Sequence, residues 1–168
     1  LINGAYGHRM GKILDYAGRS YIIQETPEDQ PPSIDALDQA LTDDPNISHV
    51  LTVHCETTSG ILNPVEEIVH TVKAHDRVVI IDAMSAFGAI ALDATQVPFD
   101  ALLASSNKCL EGVPGMGFAL IREGVLAACD GGVERHHQAA QELPLRPRLH
   151  DGQRAARPAL RGDQRLWQ

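Results

Sequence analysis

The chain has 168 residues, 43% of them hydrophobic and 21% charged, the composition of one globular domain of ordinary size. Its net charge of −8 argues against a general binder of nucleic acid or of an anionic membrane surface. No apolar run approaches the ~20 residues that span a bilayer, and no basic-then-apolar stretch marks a signal peptide. Cys55, Cys109 and Cys129 cannot all pair with one another and form no C-x-x-C, so a reduced, cytoplasmic compartment is expected.

Asn3-Gly4 signals a turn, and Met10, Ile13, Leu14 and Ala17 recur at helical spacing around Tyr6 to Tyr16. Ser20 to Gln24 reads as a short strand. Pro31-Pro32-Ser33 opens a second helix, with Ser33 as its N-cap and Ile34, Leu37 and Leu41 on one face. Ile47 to Val53 reads as a strand and is followed by the polar cluster His54 to Gly60. Asn63-Pro64 opens a helix to about His75, with Val65, Ile68, Val69 and Val72 turned inward. Val78 to Ile81, ending in Asp82, is an uninterrupted apolar run that suits a strand buried on both faces. Ala101 to Ala104 and Gly117 to Ile121 complete the strands. Alternation at this spacing predicts an α/β fold with a mostly parallel sheet and flanking helices.

Charge is unevenly spread. Residues 1–130 hold 7 basic and 18 acidic side chains, whereas residues 131–168 hold 7 arginines, no lysine and 4 acids. Pro144, Pro147 and Pro158 break any helix in that tail, and no β-branched residue follows Val133. An Arg/Pro-rich tail of this kind is expected either to be disordered or to come from a GC-rich gene read in a shifted frame. The chain opens Leu1-Ile2 without a methionine, as if entered partway through.

Ligands in parallel sheets bind beyond the carboxyl ends of the strands. Three successive strands here end in reactive residues: the His54–Gly60 cluster, Asp82, and Ser105-Ser106-Asn107-Lys108. Singly, each has a plain structural reading, as a hydrogen-bonded loop, a turn cap and a solvated lysine. Lys108, however, lies between apolar segments, and a lysine in a partly apolar pocket becomes a nucleophile toward carbonyls. An acid able to hold a pyridinium proton is the partner that pyridoxal phosphate chemistry requires. Cys109 reads as a packing residue and His54 as a structural histidine at a strand end, with a supporting place near the site as the lesser alternative. Gly112 to Gly117 imitates a dinucleotide loop but precedes its strand instead of following one. His136-His137 lacks a third metal ligand, and no metal is expected.

Four motifs carry a resemblance: Asn3-Gly4-Ala5-Tyr6-Gly7-x-Arg9-Met10, Glu56-Thr57-Thr58-Ser59-Gly60-Ile61-Leu62-Asn63-Pro64, Asp82-Ala83-Met84-Ser85-x-Phe87-Gly88, and Ser106-Asn107-Lys108-Cys109-x-x-Gly112-Val113-Pro114-Gly115. In order and spacing, over residues 3 to about 130, the chain resembles the class V aminotransferases of fold type I. The resemblance is to the branch that moves the amino group of 2-aminoethylphosphonate to pyruvate. It implies part of the large, pyridoxal-phosphate-binding domain at residues 1–130 and leaves 131–168 as a non-homologous tail.

By the same resemblance, Lys108 bonds the cofactor, Asp82 pairs with its pyridine nitrogen, Thr57 lies near its 3′-oxygen and Asn107 near its phosphate side. A homodimer is also implied, because the family's sites form between subunits. The family's phosphate loop lies upstream of the Asn3 motif, and its substrate-binding arginine lies in a smaller C-terminal domain; neither is matched. The alternatives are therefore a catalytically inert fragment, or a related enzyme such as an alanine–glyoxylate or serine–pyruvate aminotransferase.

Overall fold

The computed structural model describes residues 1–129. Helix α1 (Ala5–Tyr16) is followed by α2 (Ile34–Asp43), strand β1 (His49–Val53), the short strands β2 (Cys55–Glu56) and β3 (Ile61–Leu62), and helix α3 (Val65–Ala74). Strands β4 (Val78–Asp82), β5 (Ala101–Ser105) and β6 (Gly117–Ile121) come next, then helix α4 (Glu123–Ala128).

Local chemistry explains the helix ends. Ser33 Oγ accepts the Ala36 N–H at 3.2 Å, capping α2 as its sequence predicts. Helix α3 begins after Pro64 with Glu66 and Glu67 in its first turn and Lys73 in its last, each matched to the helix dipole. Its far end closes with Asp76 at φ 56°, while the Arg77 N–H reaches Val72 O at 3.2 Å and the Asp76 N–H reaches Lys73 O at 3.1 Å.

The main sheet has the order β1-β4-β5-β6. β4 lies parallel to both β1 and β5, and only β6 runs antiparallel. Strands β2 and β3 form a separate antiparallel hairpin. One face of the main sheet is sealed: Val79, Ile81, Leu102 and Ala104 pack against Val65, Ile68, Val69 and Val72 of α3, and α2 adds Leu37 and Leu41. β4 does not meet the expectation of burial on both faces. Val79 and Ile81 are fully buried, but Val78, Ile80 and Asp82 are only half-buried, because no helix among the described residues covers that side as α3 covers the other.

Ser20–Gln24 is a second departure. The segment is extended but forms no strand, since its ladder is limited to one bridge between Ile2 and Glu25. The bonds are Ile2 N to Gln24 O and Thr26 N to Ile2 O, both 2.9 Å. High β-propensity without a partner leaves only an extended chain. Helix α4, which the sequence reading passed over, follows β6. The tail expected from residue 131 lies outside the described residues.

Candidate active site at the carboxyl edge of the sheet

Because β1, β4 and β5 are parallel neighbours, the segments leaving them emerge at one edge. Thr57 stands on the β2–β3 turn just after β1, Asp82 is the last residue of β4, and Asn107 and Lys108 follow β5. The topology thus brings all four sequence-nominated residues to loops at the same edge.

Asp82 is half-buried, and its Oδ1 accepts the Met84 N–H at 2.9 Å, leaving Oδ2 without a partner among the described residues. Lys108 and Asn107 are exposed, and neither side chain makes a hydrogen bond or ion pair among the described residues. This corrects the partly apolar pocket expected around Lys108. The lysine sits at the bend of a tight turn in which the Glu111 N–H bonds Lys108 O at 2.9 Å and the Gly112 N–H bonds Ser106 O at 2.7 Å. Such a turn points its residues outward whatever apolar segments flank it in sequence. Thr57 is likewise exposed, and its hydroxyl has no hydrogen-bond partner among the described residues.

Beneath these residues lies a scaffold that sequence reading did not single out. Glu56 is completely buried, yet no basic side chain pairs with it among the described residues. Its carboxylate accepts Thr58 Oγ1 at 2.8 Å, the Thr58 N–H at 3.3 Å, and the Tyr6 and Gly7 N–H groups at 3.2 and 3.4 Å. The start of α1 therefore supplies the positive end of a helix dipole in place of a cation. A carboxylate there closes the N-terminus of α1 to any other anion. Asn3, directly before that turn, is anchored through its amide to Asn63 and Gln30.

His54 is nearly buried, with its N–H on Asp82 O at 2.8 Å. Its Nδ1 is buried without a partner, and desolvation lowers the imidazole pKa. The ring borders a cavity of about 240 Å³ with Ala83, Phe87 and Leu102. His54 thus sits at the strand end beside the segment that follows β4. Cys109 is not a packing residue: it is exposed, and its thiol donates to Ser85 O at 3.5 Å. A larger cavity, about 770 Å³, runs along the edge of β1 beside Met10, Leu14, Tyr21 and Ile80, and none of the four candidate residues lines it. Among the described residues no His/Cys/Asp/Glu cluster could hold a metal ion, and no helix is long and apolar enough to cross a membrane. His136-His137 lies outside them.

A family profile described as "Aminotransferase class-V" matches residues 20–143, well over half of the sequence. The chain belongs to the class V aminotransferases. The match ends at residue 143, past residue 130 where the resemblance is expected to stop, so it enters the stretch read as a non-homologous tail, which lies outside the described residues.

Among class V relatives, a 2-aminoethylphosphonate–pyruvate transaminase of Pseudomonas putida KT2440 is 52% identical over 143 residues, which are 85% of this chain and 38% of the relative. One from Pseudomonas aeruginosa PAO1 is 50% identical over the same shares. The chain thus spans well under half the length of the curated relatives it matches. Among solved structures, the pyridoxamine–pyruvate aminotransferase of Mesorhizobium loti superimposes with a TM-score of 0.68 at 30% identity, over 74% of this chain and 32% of that one. The ureidoglycine–glyoxylate aminotransferase of Bacillus subtilis gives 0.70 at 22% identity, over 75% and 32%, and so supports the shared class V fold alone.

Proposed function

We propose that this chain is the cofactor-binding section of an enzyme that transfers the amino group of 2-aminoethylphosphonate to pyruvate, giving phosphonoacetaldehyde and alanine. The observation that carries the reading is the convergence of Lys108, Asp82 and Thr57 at one sheet edge, each with a polar atom that has no partner among the described residues. The choice of substrate rests on the half-identical relatives that bear that name, since the fold alone does not select a donor.

The residues fit pyridoxal phosphate. A free primary amine suits its aldehyde, a carboxylate with one open oxygen suits its ring nitrogen, and a free hydroxyl suits its 3′-oxygen. Asn107 would lie toward its phosphate. When bound, the cofactor supplies an electron sink for the carbanion left when the substrate loses a proton. Asp82 would hold the ring-nitrogen proton, so that the sink stays effective. Lys108 Nζ would carry the proton lost by the substrate carbon. In this reading residues 1–130 form part of the large domain, and the working enzyme is a homodimer.

Borohydride reduction in the presence of pyridoxal phosphate, followed by peptide mapping, tests the assignment. The label should appear at Lys108 and should fall when 2-aminoethylphosphonate is added before the reductant. Equal labelling of Lys12 and Lys73, or none at Lys108, would refute it.

A further inference from the structure

We infer that Ser85 is a positioning residue that clamps together the three loops carrying Thr57, Asp82 and Lys108. Its hydroxyl donates to Cys55 O in β2 at 2.7 Å, two residues before Thr57. Its own carbonyl accepts the Cys109 thiol at 3.5 Å, one residue after Lys108. Ser85 itself sits three residues beyond Asp82, inside a turn in which the Ala86 and Phe87 N–H groups both bond Ala83 O, at 3.0 and 2.8 Å. The Met84 N–H that fixes Asp82 Oδ1 belongs to the same turn.

The segment from Ala83 to Asp100 connects β4 to β5 without a helix; the Ala83 N–H on Leu103 O at 2.9 Å and the buried Ala83 and Ala86 hold its start to the sheet, and Ser85 adds the side-chain tie to β2. A second contact lies three residues on. Gly88 has φ +94°, and a Cβ there would stand 2.8 Å from Leu110 Cδ2, in the lysine's own turn. The turn after β4 is therefore wedged between its two neighbours, and Ser85 is the residue that touches both by hydrogen bonds. Loosening it separates Thr57 and Lys108 from Asp82 without unfolding the sheet beneath. Its bearing on the cofactor rests on the function proposed above; the clamp itself does not.

The test compares amide hydrogen exchange in the cofactor-free chain for the native protein, Ser85→Ala, Ser85→Thr and a control, Thr71→Ala, which removes a half-buried hydroxyl on α3. Ser85→Ala removes the hydroxyl bond to Cys55 O and should speed exchange by about tenfold in residues 55–60, as loss of one hydrogen bond allows. A further variant, Cys109→Ala, removes the thiol bonded to Ser85 O and should speed exchange in residues 106–112. Exchange in α3 should not change, Ser85→Thr should restore the native pattern, and the control should leave both loops alone. The same Ser85→Ala variant should need about tenfold more pyridoxal phosphate to half-saturate the borohydride label at Lys108. Faster exchange confined to residues 83–88, or spread evenly over the chain, would overturn the clamp. Coupled loops with no label on native Lys108 would instead refute the cofactor reading and uphold the clamp.

Discussion

Asn3 and Asn63, sixty positions apart, exchange two side-chain hydrogen bonds: Asn3 Nδ2 donates to Asn63 Oδ1 at 2.8 Å, and Asn63 Nδ2 returns to Asn3 Oδ1 at 3.2 Å. Both residues are buried, and Asn63 also donates to Val53 O at 2.8 Å. The pair ties the entry of α1 to the entry of α3 across the end of β1. A buried amide is tolerable only when its donors and acceptors are matched, and here each residue largely matches the other.

A double-mutant cycle should expose that dependence. Asn3→Ala and Asn63→Ala are each expected to cost about 1–3 kcal/mol, since each strands the other's buried amide. The double variant should cost less than their sum, with a coupling of about 0.5–3 kcal/mol in urea unfolding. Strict additivity would show the pair to be incidental.

Gly4 tests the close approach over Glu56. Its φ of 163° is ordinary extended backbone, so the demand for glycine is spatial: a Cβ would stand 2.4 Å from Glu56 Cγ and 2.5 Å from Cδ. Gly4→Ala should destabilise by about 1–3 kcal/mol, the usual cost of overpacking. Gly124→Ala, in α4 with nothing within 4 Å of the added carbon, should be neutral or stabilising. Equal effects at the two sites would remove the argument.

Asp100 anchors the opposite edge of the sheet. Its buried carboxylate accepts Lys73 Nζ at 2.9 and 3.1 Å and the Val79 N–H at 2.8 Å, with the Arg122 guanidinium at 3.8 Å. Asp100→Ala leaves a strand N–H and a partly buried ammonium unmatched, and should cost about 3–5 kcal/mol. Lys73→Met should cost less, because Arg122 and the Val79 N–H remain to hold the carboxylate. Thermal unfolding of the two variants gives the order directly, and the reverse order would contradict this account.

His54 should make the fold acid-sensitive. Burial lowers its pKa in the folded state below 6.5, with Glu66 opposing weakly. Above that value the ring is neutral in both states and titration contributes nothing. As pH falls below 6.5 the unfolded chain takes up the proton first, so stability declines until the folded-state pKa is passed. His54→Leu should flatten the pH dependence of urea unfolding in that window. An unchanged slope would place the sensitivity on another group.

Much of the fold is written locally. The 3.6-residue spacing of Val65, Ile68, Val69 and Val72 predicts both α3 and its buried face, and Ser33 marks the start of α2 in the chain itself. Asp82 and Lys108 are readable as neighbours of one sheet edge because a strand end is a local feature and the parallel topology places such ends together. The rest depends on partners distant in sequence. Among the described residues, Ser20–Gln24 has strand-like residues but leads only to the single Ile2–Glu25 bridge, and Val78–Ile81 has the apolar run of a fully buried strand but is sealed on one face. Lys108 looks enclosed by apolar neighbours, yet a turn carries it into solvent. Glu56 reads as one more acid in a polar loop until α1, fifty positions earlier, turns its N–H groups toward it. The sequence by itself determined period, caps and the order of the strands, which are properties of a few adjacent residues. Only the tertiary structure decided which polar groups are buried, matched or free, because hydrogen bonds such as Ser85–Cys55 and Asn3–Asn63 exist only once the folded sheet has brought distant segments within about 3 Å.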